Sequence, residues 1–197
     1  MEQALLISSV LLWALVLFNL LLTLALVRKV NASAEERKPA PLGLKVGDKA
    51  PDFVAQTLTG GTVTLSQFAG RPTAFLFIQP DCQPCREGLP EYISLHATAR
   101  DAGAELVLVS IASAEYTREF VDENQVGLPV LVAHRNDSSF AEDYKMRGTP
   151  SYTYIDAQGR IESVGRPNKN TREWQAVIRS WEATRKEPAG ASSNGRG

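Results

Sequence analysis

Three observations predict an α/β mixed-sheet sandwich preceded by one N-terminal transmembrane helix. Buried-strand runs alternate with helical stretches through the middle of the chain, a tight turn joins the last two strands, and a long apolar run precedes them all. At 197 residues the chain has room for one domain of about 150 residues and a short appendage. Its net charge of −1 gives no field for nucleic acid, and none is expected as a partner. Two cysteines cannot build a disulfide scaffold, and a chain this long can bury a core without one.

The elements follow in order. From Ala4 to Val27, ALLISSVLLWALVLFNLLLTLALV, 24 residues carry no charge, enough to cross about 30 Å of hydrocarbon as a helix. A core helix would show a polar face. A cleaved signal peptide would carry a basic start, whereas only Met1, Glu2 and Gln3 precede this run. Residues 1–30 are therefore expected to remain as an anchor, meeting the lipid bilayer through residues 4–27 with Trp13 inside it. Residues 31–43, charged and then Pro-containing, suit a semi-extended linker; 44–185 form the domain; 186–197, small and polar, form a disordered tail.

Inside the domain, DFVAQTLTGGTVTL (52–65) reads as a hairpin around Gly60-Gly61, and TAFLFIQ (73–79) as a strand buried on both faces. Helical spacing through Leu89 and Ile93 follows, then a strand at 105–112 and a helix at 113–125 with Ser113 as N-cap. LPVLVA (128–133) gives a further strand and 138–146 a short helix. A hairpin over 151–165 and an amphipathic helix over 170–185 close the domain, with Trp174 and Trp181 on its core stripe. No internal repeat is visible.

The only two cysteines, Cys82 and Cys85, lie in QPDCQPCRE, where a buried strand ends and a helix begins. The unpaired N–H groups and positive dipole end at that helix start favour a thiolate, which makes Cys82 the candidate nucleophile. Cys85, one turn on, can close a disulfide with it and is more shielded. The spacing favours a dithiol that opens and closes by exchange, with no further cofactor. Two weaker alternatives remain. A zinc site needs four ligands, and His96 and His134 complete no second ligand pair; an inert disulfide over so short a loop constrains little. Haem attachment fails, because Arg86 stands where C-x-x-C-H needs histidine.

The strand, CQPC, the helix with Pro90 five residues after Cys85, and GTPSYTYID (148–156) resemble the thioredoxin superfamily. With the membrane helix and KVGDKAPDF (45–53), they resemble its membrane-anchored TlpA-like redoxin branch. The residues alone read Pro150 as a proline opening a strand. The resemblance implies instead a cis Thr149–Pro150 bond against the cysteine pair, with Thr149 offering backbone groups to an extended protein substrate. Gln83 and Pro84, between the cysteines, would support the site and suggest the reducing side of the family, although the direction of exchange is not fixed by sequence. The leucine-rich helix running into such a domain is also similar to methylamine-utilisation accessory proteins of the MauD type, which implies a part in forming or maintaining disulfides of the methylamine dehydrogenase small subunit.

The chain also departs from that branch. Where TlpA-like proteins often carry a proton-handling glutamate three residues after the second cysteine, this chain has Gly88, and Leu76 replaces the acid that thioredoxins bury six residues before the first cysteine. Proton exchange at Cys85 would then rest on water, or on Glu87 if the helix start is irregular. Arg86 and His96 read as solvated helix residues. A peroxiredoxin-like thiol peroxidase is one alternative function, because GDKAPDF resembles that family too; Gln79 and Phe75, however, stand where its hydroxyl residue and proline belong. A tethered Cu(I) module using Cys82 and Cys85 is another, with Met146 the available soft third ligand.

Sidedness is a conflict. Arg28, Lys29, Arg37 and Lys38 follow the apolar run and no basic residue precedes it, which by the positive-inside rule puts the domain in the cytoplasm. The resemblance implies the bacterial inner membrane with the redox domain in the periplasm, and that location is expected here.

Overall fold

A computed structural model describes residues 2–36 and 44–186. The chain divides into two compact units, residues 1–40 and 41–197. The first contains one helix, α1 (Glu2–Glu36), in which Ile7–Leu24 has a mean hydropathy of 2.3 and no part buried within the protein. By length and composition that window can cross a membrane. The helix runs six residues past residue 30 into the stretch expected to be a semi-extended linker. Ala32, Ala34, Glu35 and Glu36 are good helix formers and continue the turns already nucleated by the apolar run. The rest of the linker, 37–43, and the tail from residue 187 lie outside the described residues.

The second unit is built on seven strands: β1 (Val54–Thr57), β2 (Thr62–Thr64), β3 (Thr73–Ile78), β4 (Glu105–Ser110), β5 (Val130–Val132), β6 (Ser151–Ile155) and β7 (Ile161–Gly165). They lie in the order β2-β1-β5-β4-β3-β6-β7. The three central strands β3, β4 and β5 run parallel, and the flanking pairs are antiparallel, giving the expected mixed sheet. The helices are α2 (Gln83–Asp101), α3 (Ala114–Glu123), α4 (Phe140–Asp143) and α5 (Arg172–Lys186). Ser113 caps α3 as its composition suggests, its hydroxyl accepting from the Tyr116 amide at 3.3 Å. Gly60 turns the first hairpin at φ +89°, a conformation open to glycine without a Cβ penalty.

All six residues of β3 are buried, as a strand covered on both faces requires. Ala74, Leu76 and Ile78 point into one cluster with α2, Phe120 of α3, and Trp174, Val177 and Trp181 of α5. Phe75 and Phe77 point the other way, into an aromatic cluster with Phe53, Phe68, Phe140 and Tyr144. Trp174 and Trp181 are core, as their spacing indicates. One short element escapes the sequence reading: a 3-10 turn at Leu65–Phe68, which drops Phe68 into the second cluster.

Candidate functional site

The buried strand β3 ends at Ile78, and a tight turn closed by the Cys82 amide on the Gln79 carbonyl (3.0 Å) delivers Cys82 to the N-cap of α2. The Cys82 carbonyl then accepts from the amides of Cys85 (2.9 Å) and Arg86 (3.1 Å), so the first helical turn is wound around the nucleophile candidate. Cys82 and Cys85 are joined as a disulfide, with a Cα separation of 5.2 Å, inside the range such a bridge accepts. The two sulfurs are unequal. Cys82 is half-buried, whereas Cys85 is 1% exposed inside the first cluster. An incoming thiolate can therefore reach only the first.

Across the pair lies the loop before β6. Thr149–Pro150 is cis, as the resemblance implies. The Thr149 carbonyl oxygen is 3.4 Å from Cys82 Sγ, where it can accept from the thiol once the disulfide is reduced. The structure thus brings together Cys82, Cys85, Thr149 and Pro150, positions 67 residues apart in the chain. Gln83 and Pro84 are exposed on the first turn, and the Gln83 side-chain amide donates to Glu87 at 3.0 Å. The helix start is regular, and Glu87 is exposed on it whereas Cys85 is buried. Leu76 is fully buried apolar core.

Further features of the site go beyond what the sequence showed. The Tyr116 hydroxyl donates to the Asp81 carboxylate directly before Cys82, and that hydrogen bond is the main cause holding the Tyr116 phenol above its ordinary value. Arg86 is exposed but not free: its Nε donates to the Pro80 carbonyl at 2.7 Å, and its guanidinium sits 5.4 Å from the Phe120 ring centre. His96 is half-buried. Tyr92 packs with Cys85 and donates to the Pro167 carbonyl at 3.1 Å. Its only sequence signal is spacing, seven residues after Cys85 and so on the same helix face.

The alternatives meet the same geometry. Met146 packs against the second cluster, across the sheet from the one that holds the cysteines. Among the described residues no group of three or more His, Cys, Asp or Glu is placed to hold a metal ion. Phe75 points into the aromatic cluster, and Gln79 is half-buried in the turn before Cys82.

Residues 46–164 match the AhpC/TSA family. The chain is 30% identical over 125 residues to the thiol-disulfide oxidoreductase ResA of Oceanobacillus iheyensis, a match that covers 61% of this chain and 64% of that protein, a little under two thirds of its length. It is 29% identical over 175 residues to the methylamine utilization protein MauD of Methylobacillus flagellatus, covering 84% of this chain and 80% of that one. Among solved structures, a putative thiol:disulfide interchange protein DsbE from Chlorobium tepidum superposes with a TM-score of 0.63 at 24% identity, covering 73% of this chain and 99% of that one. The fold is thioredoxin-like.

Proposed function

The chain belongs to the AhpC/TSA family, and from that premise we propose that it is a membrane-tethered thiol-disulfide oxidoreductase that exchanges disulfides with a partner protein through Cys82 and Cys85. The observation that carries this reading is the unequal exposure of the two sulfurs at the start of α2. The oxidised site is opened when a partner thiolate bonds to Cys82 Sγ. The Cys82–Cys85 bond breaks, and its electron pair leaves with Cys85. Closure runs the same steps backwards: Cys85, deprotonated, attacks Cys82 Sγ of the mixed disulfide and expels the partner thiolate. In the reducing direction Cys82 first attacks a partner disulfide, helped as a thiolate by the α2 N-terminus. The Thr149 backbone, beside Cys82, is the place for an extended partner segment to pair.

In this reading residues 1–30 are the anchor in the bacterial inner membrane, 31–43 the link, 44–185 the redox domain and 186–197 a tail, with the domain on the periplasmic side. The partner is an extracytoplasmic protein whose disulfides are made or maintained there. The MauD likeness supports the methylamine dehydrogenase small subunit or a similar substrate. It covers 84% of the chain, more than residues 44–186 alone supply, so it reaches beyond the folded domain. Peroxidase chemistry is disfavoured by Gln79, which offers an amide where a peroxide-binding hydroxyl is needed.

The test is trapping. Cys85→Ser should accumulate mixed disulfides with partner proteins in the cell, because the attacking sulfur remains and the resolving one is gone. Cys82→Ser should trap almost none, and both should lose insulin-disulfide reductase activity. Equal trapping by the two variants, or full activity in either, overturns the assignment.

A further inference from the structure

Gly88 stands one helical turn after Cys85 on α2. A Cβ at that position would lie 2.5 Å from the Tyr92 hydroxyl oxygen and 2.7 Å from its Cζ. No side chain fits beneath that ring without moving it. Residues three apart on a helix hold their Cβ positions about 5–6 Å apart, so the phenol oxygen lies within roughly one side-chain length of Cys85. Both residues are 1% exposed and share one cluster. The hydroxyl now donates to the Pro167 carbonyl, in the loop between β7 and α5, at 3.1 Å. A phenol O–H rotates about its C–O bond and can change acceptor.

A difficulty at Cys85 calls for such a donor. When the disulfide opens, Cys85 departs as a thiolate at a position only 1% exposed, and an unpaired buried anion is strongly disfavoured. We propose that Tyr92 supplies the hydrogen bond that carries Cys85 through its thiolate state, its O–H turning from the Pro167 carbonyl to Cys85 Sγ as the disulfide opens. The phenol donates and keeps its proton: burial first, then the neighbouring charge of Glu91, holds it far above its ordinary value. The proton that finally neutralises Cys85 comes from solvent. Glu91 lies on the same helix, and the cluster around Tyr92 adds Trp174, Val177 and Ile178 from α5 and Tyr152 and Tyr154 from β6, none charged at neutral pH. Within 44–185 no Asp, Glu, Lys, Arg or His is buried; besides the indole N–H groups of Trp174 and Trp181, the Tyr92 hydroxyl is the donor that the Gly88 gap directs along the helix face of Cys85.

The inference rests on Cys82 attacking and Cys85 resolving, and one assay separates the two claims. The reduced full-length chain in detergent is mixed with 5,5′-dithiobis-(2-nitrobenzoate), and the coloured thiolate is followed as a function of pH. Cys82 releases the first equivalent; Cys85 releases the second by displacing the reagent from Cys82. Tyr92→Phe should leave the first phase unchanged and slow the second about tenfold, with its pH profile moved up by about one unit, the effect of one hydrogen bond to a charged group. Gly88→Ala, a change that favours the helix itself, should also slow the second phase alone by displacing the phenol. Wild-type second phases in either variant overturn the proposal, as do two phases slowed alike, the mark of a merely structural role. A wild-type chain that shows no second release overturns the resolving role of Cys85, and this proposal with it.

Discussion

Tyr92, Tyr144 and Tyr152 are each buried with the hydroxyl satisfied: on the Pro167 carbonyl, on the Pro51 carbonyl at 3.0 Å, and against Ser163 Oγ at 2.6 Å. Desolvation is the first cause raising each phenol, and Tyr152 is pushed up from 10.0 to about 12. In the unfolded chain these groups lose their protons near 10. Between that value and the folded ones the native state binds more protons, so stability falls as pH rises; below 10 their contribution is intact. At about 1.4 kcal/mol per pH unit for each proton, each of these phenols contributes on the order of a few kcal/mol across its window. Urea midpoints of the oxidised protein should therefore show no tyrosine-driven loss between about pH 7 and 9 and should drop steeply above 10, with Tyr152→Phe flattening the fall by about one proton. A midpoint that holds to pH 12 would show that these rings are wetter than their packing indicates.

At the scale of elements, α4 is four residues long and has no cap bonded by its Ser139 side chain. Propensity cannot hold so short a helix. Phe140 does, stacked on Phe53 at 3.7 Å between ring centres and meeting Phe75 and Phe77 edge-on. Phe140→Ala should cost about 3–5 kcal/mol of stability while leaving the reaction of Cys82 with a thiol reagent unchanged, because the cysteines pack on the other face. The same contrast separates what the sequence shows from what it hides. β3 and β4 are readable because both faces are buried and their apolar runs are unbroken. The junction that places Cys82 is readable for the same reason, since a strand and a helix can meet only in the turn between them. The antiparallel pairing of β1 with β5, the 3-10 turn at Leu65–Phe68 and the Tyr116–Asp81 hydrogen bond are not, because each depends on which distant segments meet. Gly88 is the instructive case. In the sequence it is a missing carboxylate; in the fold it is the space taken by Tyr92.

For the whole molecule the proposed anchor raises the question of the side of the membrane on which the redox domain would work. Two physical arguments oppose each other. The four basic residues Arg28, Lys29, Arg37 and Lys38 follow the apolar window closely, which favours a cytoplasmic domain. Glu35 and Glu36 sit among them, but acidic residues count for little in that rule. Against this stands the chemistry of the site. A dithiol that meets folding proteins is most useful where protein disulfides form and persist, outside the reducing cytosol. A soluble carrier in the cytosol can diffuse to its partner and gains little from a tether, whereas one serving an exported partner must be held beyond the membrane. The periplasmic placement proposed here predicts that a membrane-impermeant maleimide, added to intact and mildly reduced cells, labels Cys82; Cys85, at 1% exposed, should stay unlabelled until the protein is denatured. Cys82→Ser should abolish the label. Labelling that appears only after lysis would put the domain in the cytoplasm, and the exchange role with an exported partner would fall while the dithiol chemistry at α2 stood.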